Sequence, residues 1–268
     1  MHLNLSGVAF VTGAGGSIGQ ACILQFAREG VQRLVGLDLS LECLKTTESL
    51  LLKEFPNAQF LPLQVDLGVE REVDEAFEKV LRVFGRIDYA VNNAAVPGPF
   101  RPTAENTLAD LDKVLAVNVK GIWLCERAEV RLMEKQDPPP SQAKDFRLRA
   151  RDSRGSIINV NSILGVVAMP ENSLYTVSKH AILGLTKTDA LDYAKLGVRV
   201  NSVCPGFVDT PLMTPDIRDF LKPNIDKTPM RRLALPEEIA DAVVFLASSR
   251  SSYMTGATMI VDGGYTIH

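Results

Sequence analysis

The sequence predicts an α/β fold, a doubly wound parallel β-sheet of about seven strands with helices on both faces. Short apolar runs alternate with helical segments along the chain, which is the pattern of βαβ units. A glycine-rich turn follows the first run, and most of the later runs end in a polar residue. Ligands bind such sheets beyond the carboxyl ends of the strands, so we expect the functional residues there.

The first βα unit is a candidate nucleotide site. A strand is predicted at Val8–Thr12, followed by the turn Gly13-Ala-Gly-Gly-Ser-Ile-Gly19 and a helix to about residue 29. Backbone N–H groups in such a turn approach a pyrophosphate, and the helix N-terminus favours its negative charge. The second strand, Arg33–Asp38, ends in an acid nineteen residues after Gly19. A dinucleotide-binding unit places there the carboxylate that holds a ribose hydroxyl.

The same turn also fits a different chemistry. Gly15-x-Ser17-x-Gly19 matches the G-x-S-x-G elbow of serine hydrolases, which needs an acid and then a histidine later in the chain. His180 lies on a predicted helix, where a solvent-facing position is expected, and His268 is the last residue. Only one strand precedes Ser17, which would put the elbow at a sheet edge. The hydrolase remains a remote alternative.

The alternation continues to the end of the chain. Strands are predicted at 59–66, 87–92, 156–162, 198–204 and 258–262, and helices at about 41–54, 70–84, 111–135, 173–195 and 236–247. Pro62 requires its strand to lie at a sheet edge. Asn118 lies among Val117, Val119 and Trp123, so we expect it to be buried with hydrogen-bond partners.

Two loops stand out from this alternation. Residues 136–154 are polar and irregular, which favours a solvated loop over a basic docking site. Residues 209–234 carry four prolines and many apolar side chains, which is typical of a substrate loop or lid. No repeat or linker divides the chain, and we expect residues 1–268 to form a single domain.

Composition excludes several classes of function. Of 268 residues, 46% are hydrophobic and 23% charged, which suits a globular core. The net charge of −3 argues against nucleic-acid binding. The four cysteines and three histidines show neither metal-ligand spacing nor a disulfide framework. No membrane span or signal peptide is evident, so we expect a cytoplasmic protein.

Tyr175 and Lys179 are four residues apart on a predicted helix and share one of its faces. Lowering the pKa of a tyrosine from about 10 to about 7 takes about 4 kcal/mol. A cation about 4 Å away at an effective dielectric constant near 20 supplies about that much. Ser162 ends the preceding strand, where it could hydrogen-bond a substrate oxygen beside the phenol. The spacing alone also occurs by chance in many helices.

Together these residues resemble the single-domain branch of the short-chain dehydrogenase/reductase family over essentially the whole chain. Residues 12–19 are similar to its T-G-x-x-x-G-x-G cofactor turn and residues 92–95 to its N-N-A-G motif. Pro205-Gly206, Thr210 and Val261-Asp-Gly-Gly264 complete the match. The resemblance implies a Rossmann fold, a nicotinamide cofactor, and alcohol and ketone interconversion.

The resemblance also implies the roles of individual residues. Tyr175 would be the general base and Ser162 would bind the substrate oxygen. Lys179 would hold the nicotinamide ribose and lower the phenol pKa, and Asn118 would hold a water in a proton relay. The cofactor would contact Gly13, Ser17, Ile18, Gly19, Asp38, Asp66, Leu67, Asn93, Ala94, Tyr175, Lys179, Pro205, Gly206, Val208 and Thr210. No metal is expected.

Two positions depart from the family pattern, since Ser17 and Ala95 stand where glycine is usual. Ser17 requires a backbone conformation that serine tolerates. Asp38 would repel a 2′-phosphate, and Leu39 follows it instead of an arginine. The sequence therefore predicts NAD rather than NADP, and with it oxidation of the alcohol.

The substrate is predicted from the surroundings of the site. Residues 96–100, 166–170 and 211–234 would form the pocket mouth, and their composition suggests a bulky apolar alcohol or ketone such as a terpenoid, steroid or polyketide. Relatives associate through helices equivalent to 111–135 and 173–195, so a homotetramer or dimer is expected. The alternatives are an NADP-dependent ketoreductase and a non-catalytic nucleotide sensor.

Overall fold

The structure is a computed structural model that describes residue 3 and residues 5–138, 153–211 and 213–267. Most of the predicted loop at 136–154 lies outside the described residues, as do His268 and Leu212 of the predicted lid. The sheet and the helices that cover it are built from the described residues.

Seven strands form one sheet in which every neighbouring pair is parallel. They are β1 (Val8–Thr12), β2 (Arg33–Asp38), β3 (Gln59–Gln64), β4 (Tyr89–Asn92), β5 (Gly155–Val160), β6 (Val198–Pro205) and β7 (Thr258–Val261). Their order is β3-β2-β1-β4-β5-β6-β7. The predicted fold class is therefore confirmed. Pro62 lies in β3 at the sheet edge, as its missing N–H requires.

β1 lies inside the sheet, third from the β3 edge. The expectation that one preceding strand would put Ser17 at a sheet edge was therefore wrong. Chain order does not give spatial order here, because the crossovers first build outward through β2 and β3 and then return to place β4 on the other side of β1. The point where the direction reverses lies between β1 and β4, and a crevice is expected there.

Helices cover both faces of the sheet. They are α1 (Ser17–Arg28), α2 (Leu41–Glu54), α3 (Glu70–Phe84), α4 (Leu108–Leu115), α5 (Ile122–Met133), α6 (Ser173–Tyr193), α7 (Pro215–Lys227) and α8 (Pro236–Ala247). Successive residues of a strand point to opposite faces of the sheet, and an apolar layer lies on each face. Ala9 and Val11 of β1 pack with α1, α2 and α8, whereas Val8 and Phe10 pack with α3 and α5. This arrangement follows from the period of two along each strand.

The predicted helix at 111–135 is interrupted. A π-helical turn at Ala116–Gly121 separates α4 from α5, and Asn118 lies at its centre. Asn118 is fully buried, as expected. Trp123 was expected to be part of its apolar surroundings, but 46% of Trp123 is exposed and the guanidinium of Arg127 lies 5.0 Å from the centre of its ring.

The predicted lid is not a plain loop, because α7 occupies half of it. Pro215 stands at the start of this helix, where its missing N–H costs no hydrogen bond, and the Thr214 hydroxyl accepts the N–H of Ile217. Pro223 lies inside the helix. Leu221 is the one described residue of α7 that is fully buried, and it points into the crevice.

Candidate active site

The carboxyl ends of the strands open into a cavity of about 710 Å³. Its walls come from the glycine-rich turn, the ends of β2 to β6, the start of α6 and the lid helix α7. Apart from Gly19 and Asn118, every predicted site residue lines it, namely Gly13, Ser17, Ile18, Asp38, Asp66, Leu67, Asn93, Ala94, Ser162, Tyr175, Lys179, Pro205, Gly206, Val208 and Thr210. Residues far apart in the chain thus come together as predicted.

The glycine-rich turn is shaped to receive a phosphate. A side chain at Gly19 would collide with the carbonyl oxygen of Gly13, so glycine is required for α1 to start this close to the turn. The N–H groups of Ser17 and Ile18 find no backbone partner among the described residues and lie at the positive end of α1. Ser17 has no positive φ, so serine fits this position without backbone strain. The cradle fits the pyrophosphate of a dinucleotide.

Asp38 is fixed at the far end of this cradle. Its Oδ2 accepts the N–H of Gly15 at 3.0 Å, and its Oδ1 accepts the N–H of Ser40 at 3.0 Å. Leu39 is 67% exposed beside it. Among the described residues that line the cavity, Lys179 is the only lysine or arginine. The end of the cavity near Asp38 is therefore acidic, and no lysine or arginine among the described residues lines it.

Hydrogen bonds join the ends of β1 and β4 beneath the cavity floor. The Thr12 hydroxyl accepts the N–H groups of Asn93 at 3.0 Å and Ala94 at 3.1 Å. The Asn93 amide in turn donates to the carbonyl of Thr12 at 3.1 Å. These bonds hold the chain that follows β4 against the glycine-rich turn.

Tyr175 and Lys179 face the cavity from one side of α6. The Lys179 Nζ lies 5.4 Å from the centre of the Tyr175 ring and donates a hydrogen bond to the Val160 carbonyl at 3.0 Å. Only 3% of Lys179 is exposed, so its ammonium is not in bulk water. Ser162 follows the end of β5, and its oxygen accepts the N–H of Leu164 at 3.1 Å. The Ser162 hydroxyl proton is left to donate toward the phenol or a substrate oxygen.

Burial dominates the titration of this pair. Loss of hydration raises the pKa of Tyr175 to about 12, and a hydrogen bond with Ser162 opposes that rise. Burial lowers the pKa of Lys179 to about 8. The residues around Tyr175 therefore do not lower its pKa to about 7, and the prediction that one lysine would do so was wrong. Desolvation is the largest contribution to both shifts, because burial disfavours the charged form of the phenol and of the amine alike.

Asn118 does not line the cavity, but its side chain shapes the wall. Its Oδ1 accepts the N–H of Val96 at 2.8 Å, and its Nδ2 donates to the Val96 carbonyl at 2.9 Å and to Ser178 Oγ at 3.1 Å. The amide therefore joins the segment after β4 to helix α6. A π-turn such as the one around Asn118 is common at functional sites.

The walls beyond Tyr175 are mostly apolar. Val96, Pro97, Phe100 and Met169 come from segments that were predicted at the pocket mouth. The lid contributes Thr210 and four apolar residues, Pro211, Met213, Ile217 and Leu221. Phe220 lies outside the cavity, packed edge to face against Phe100 with ring centres 5.8 Å apart. The lid is thus held against the opposite wall by apolar contacts.

Sequence reasoning missed several cavity residues, among them Phe207, Asn172 and Tyr265. Phe207 and Tyr265 pack edge to face at 5.2 Å and close one end. Asn172 lines the cavity one helical turn before Tyr175, and that spacing could have placed it on the same face. Tyr265 gives no such signal, because it follows the last strand.

The serine-hydrolase alternative has no support in the geometry. No histidine lines the cavity among the described residues. His180 is exposed on α6, where its Nδ1 lies 3.0 Å from the carbonyl of Thr176. In the same part of the chain, no three His, Cys, Asp or Glu side chains are grouped to hold a metal ion. None of the described helices has the length and apolarity needed to cross a membrane.

Comparison with known proteins gives one consistent result. A family model described as "Enoyl-(Acyl carrier protein) reductase", of the short-chain dehydrogenase/reductase family, matches residues 13–266. The short-chain dehydrogenase srdC of Neurospora crassa is 45% identical over 99% of this chain and 98% of its own. The 2-(R)-hydroxypropyl-CoM dehydrogenase of Xanthobacter autotrophicus is 36% identical over 98% and 99%. A crystal structure of NAD⁺-bound xylitol dehydrogenase superposes with a TM-score of 0.84 at 31% identity, covering 96% of this chain and 98% of that one.

Proposed function

The chain belongs to the short-chain dehydrogenase/reductase family and is an oxidoreductase; we propose that it interconverts a secondary alcohol and a ketone with NAD as cofactor. The observation that carries this proposal is the placement of Tyr175, Lys179 and Ser162 on one wall of the cavity whose other end is the glycine-rich cradle. We propose that residues 1–268 act as one catalytic domain.

The residues at the cradle would hold the cofactor. The N–H groups of Ser17 and Ile18 suit the pyrophosphate, and the Asp38 carboxylate suits the two hydroxyls of an adenosine ribose. A 2′-phosphate would meet the same carboxylate with no cation beside it. These observations favour NAD over NADP.

A bound nicotinamide supplies the hydride acceptor or donor. In oxidation, Tyr175 Oη takes the proton of the substrate hydroxyl while Ser162 Oγ donates a hydrogen bond to the same oxygen. Lys179 places a positive charge beside the phenol and favours its ionised form. In reduction, the same phenol returns the proton to the new alcohol. Asn118 acts as a positioning residue by holding Val96 in the wall.

The pKa of Tyr175 sets the pH dependence of the two directions. Because burial raises that pKa to about 12, the phenol is protonated at neutral pH and ready to donate. Ketone reduction should therefore vary little with pH around neutrality, and alcohol oxidation should accelerate as the pH rises. The NAD preference favours oxidation in the cell, so we propose a reversible reaction whose direction follows the cofactor ratio.

The apolar wall indicates the class of substrate. Phe100, Met169, Phe207, Ile217 and Leu221 surround the space in front of Tyr175. A bulky, mostly apolar alcohol or ketone, of terpenoid, steroid or polyketide type, would bury these side chains against its own apolar surface.

The outer face of α4, α5 and α6 supports a homo-oligomer. Leu108, Trp123, Val177 and Leu191 are 72%, 46%, 56% and 81% exposed there. A groove between these helices is lined by Leu115, Val119, Trp123, Ile182 and Leu185. Self-association through this face would bury the exposed apolar area. Light scattering of the wild type and of Trp123→Lys would test it.

Cofactor preference is the direct test of the proposed reaction. A panel of bulky secondary alcohols is screened by NADH fluorescence, and kcat/KM is then compared for NAD and NADP. We expect a preference for NAD of about tenfold or more, since about 1.4 kcal/mol of repulsion corresponds to a factor of ten. Asp38→Ser should reduce it, while Glu42→Ser on exposed α2 should not. A preference for NADP would instead identify an NADP-dependent ketoreductase.

A further inference from the structure

Asn172 is a buried amide in the cavity without a protein partner. It is 4% exposed, lines the cavity and directly precedes α6. Asparagine at this position commonly caps the helix with its side chain, but Asn172 makes no such bond. No hydrogen bond to its side chain is found among the described residues, so its amide is left to face the cavity.

Other polar side chains at the substrate end of the cavity each make at least one hydrogen bond, although the Asn161 Oδ1 has no partner among the described residues. The Asn161 amide donates to the Lys179 carbonyl at 3.0 Å, and the Tyr265 hydroxyl donates to Asn224 Oδ1 at 3.3 Å. Asn224 also donates toward the sulfur of Met169 at 3.7 Å. Asn172 differs from them because both its donor and its acceptor remain available.

The position of Asn172 relative to Tyr175 limits what it can bind. Asn172 is the N-cap of α6, three residues before Tyr175, and both side chains line the same cavity. A group bound by the Asn172 amide therefore lies within a few bonds of the carbon whose oxygen meets Tyr175. The surrounding wall is apolar, so a polar group of the substrate would find its main protein partner here.

We propose that Asn172 is a specificity residue whose amide hydrogen-bonds a second oxygen, a hydroxyl or carbonyl, close to the reacting carbon of an otherwise apolar substrate. This inference rests on the proposed function and narrows its substrate class to hydroxylated or dicarbonyl compounds. An apolar substrate without that oxygen would leave the buried amide unpaired, which disfavours its binding.

Matched ketone pairs test the proposal. Indanone, decalone and acetophenone are each compared with a derivative that carries a hydroxyl one or two carbons from the carbonyl. We expect wild-type kcat/KM to favour the hydroxylated member of at least one pair by about 10- to 100-fold. Asn172→Leu, of similar size but without hydrogen-bonding atoms, should remove that preference while leaving NADH binding unchanged.

Two further variants serve as a substitute and as a control for Asn172→Leu. Asn172→Asp keeps the size of the side chain but replaces the amide donor by a charged acceptor. If Asn172→Leu does not fold, Asn172→Asp should lower kcat/KM for a diketone, whose second oxygen can only accept a hydrogen bond. Ser173→Ala is the matched control, since its buried hydroxyl also lacks a partner among the described residues but does not line the cavity. It should keep the wild-type preference.

A binding measurement separates this inference from the reaction itself. In the Tyr175→Phe background, calorimetric affinity for the hydroxylated ketone with NADH present should fall about tenfold or more on adding Asn172→Leu. Wild-type turnover without a preference, or a preference that survives Asn172→Leu, would overturn the role of Asn172 alone. Absence of turnover with every ketone and alcohol would overturn the proposed function, and this inference with it.

Discussion

Replacing Glu129 by glutamine should make the protein more stable at alkaline pH. Glu129 and Glu126 lie on α5, are fully buried and face Asn92 on β4 and Asn159 on β5. The Asn92 amide donates to Glu129 at 3.0 Å, and the Asn159 amide donates to Glu126 at 3.1 Å. The second oxygen of the Glu129 carboxyl has no partner among the described residues, and the Glu126 carboxyl shares a hydrogen bond with the carboxyl of Asp189. A charge at either position would be poorly solvated.

The sign of the effect depends on the two states of the chain. Burial raises the pKa of Glu129 from 4.5 to about 8, although the Asn92 hydrogen bond opposes the rise. Burial and the Glu129 charge raise the pKa of Glu126 as well, and Asp189 on α6 adds to that rise. The folded chain thus holds protons that the unfolded chain releases. Stability is lost as the pH rises from 4.5 to about 8, at about 1.4 kcal/mol per pH unit for Glu129.

The magnitude is large enough for thermal unfolding to detect. Between about pH 6 and pH 8, ionisation of Glu129 alone should lower the free energy of unfolding by about 2–3 kcal/mol. This corresponds to a fall in Tm of about 5–10 °C at a fixed protein concentration. Glu129→Gln should remove that part of the slope and match the wild type near pH 5. Glu78→Gln, on the exposed face of α3, is the control and should leave the slope unchanged. An equally steep slope in Glu129→Gln would refute the reasoning.

Four further variants test other parts of the account. Asn118→Ala leaves the N–H and carbonyl of Val96 without partners and should lower stability by about 2–3 kcal/mol, measured by urea unfolding, and also reduce turnover. Gly19→Ala should weaken NADH binding in a fluorescence titration, whereas Gly184→Ala, with open space around its Cβ on α6, should raise Tm slightly. Arg199 donates to five backbone carbonyls around the end of α8, so Arg199→Met should lower Tm by several degrees, and a Tm within a degree of wild type would contradict its structural role.

Sequence patterns predicted the helices and strands whose ends are marked by turn or capping residues. β1, β2, α2 and α3 begin and end where apolar runs and capping residues place them, and Pro62 correctly indicated an edge strand. Helix α7 was missed because its prolines were interpreted as loop residues. Pro215 is compatible with a helix start, but only packing of Leu221 into the cavity makes a helix around Pro223 favourable.

Sequence patterns predicted where the candidate site lies but not the pKa values of its residues. The ends of β2 and β5, with α6, bring Asp38, Ser162 and Tyr175 to one cavity as the strand ends indicated. The pKa of Tyr175 depends on burial, which raises it, and on the hydrogen bond with Ser162, which lowers it, and both contributions need coordinates. The buried pair Glu126 and Glu129 was missed for a related reason, since the pattern of α5 does not show which face lies against the sheet.

The central claim is that Tyr175 transfers the substrate proton, and Tyr175→Phe tests it most directly. The measurement is turnover of the best alcohol from the panel, with NADH affinity measured on the same preparation. We expect turnover to fall about a thousandfold while NADH binding is kept. Tyr193→Phe, on the same helix but outside the cavity, should retain wild-type turnover. Undiminished turnover in Tyr175→Phe would contradict the account.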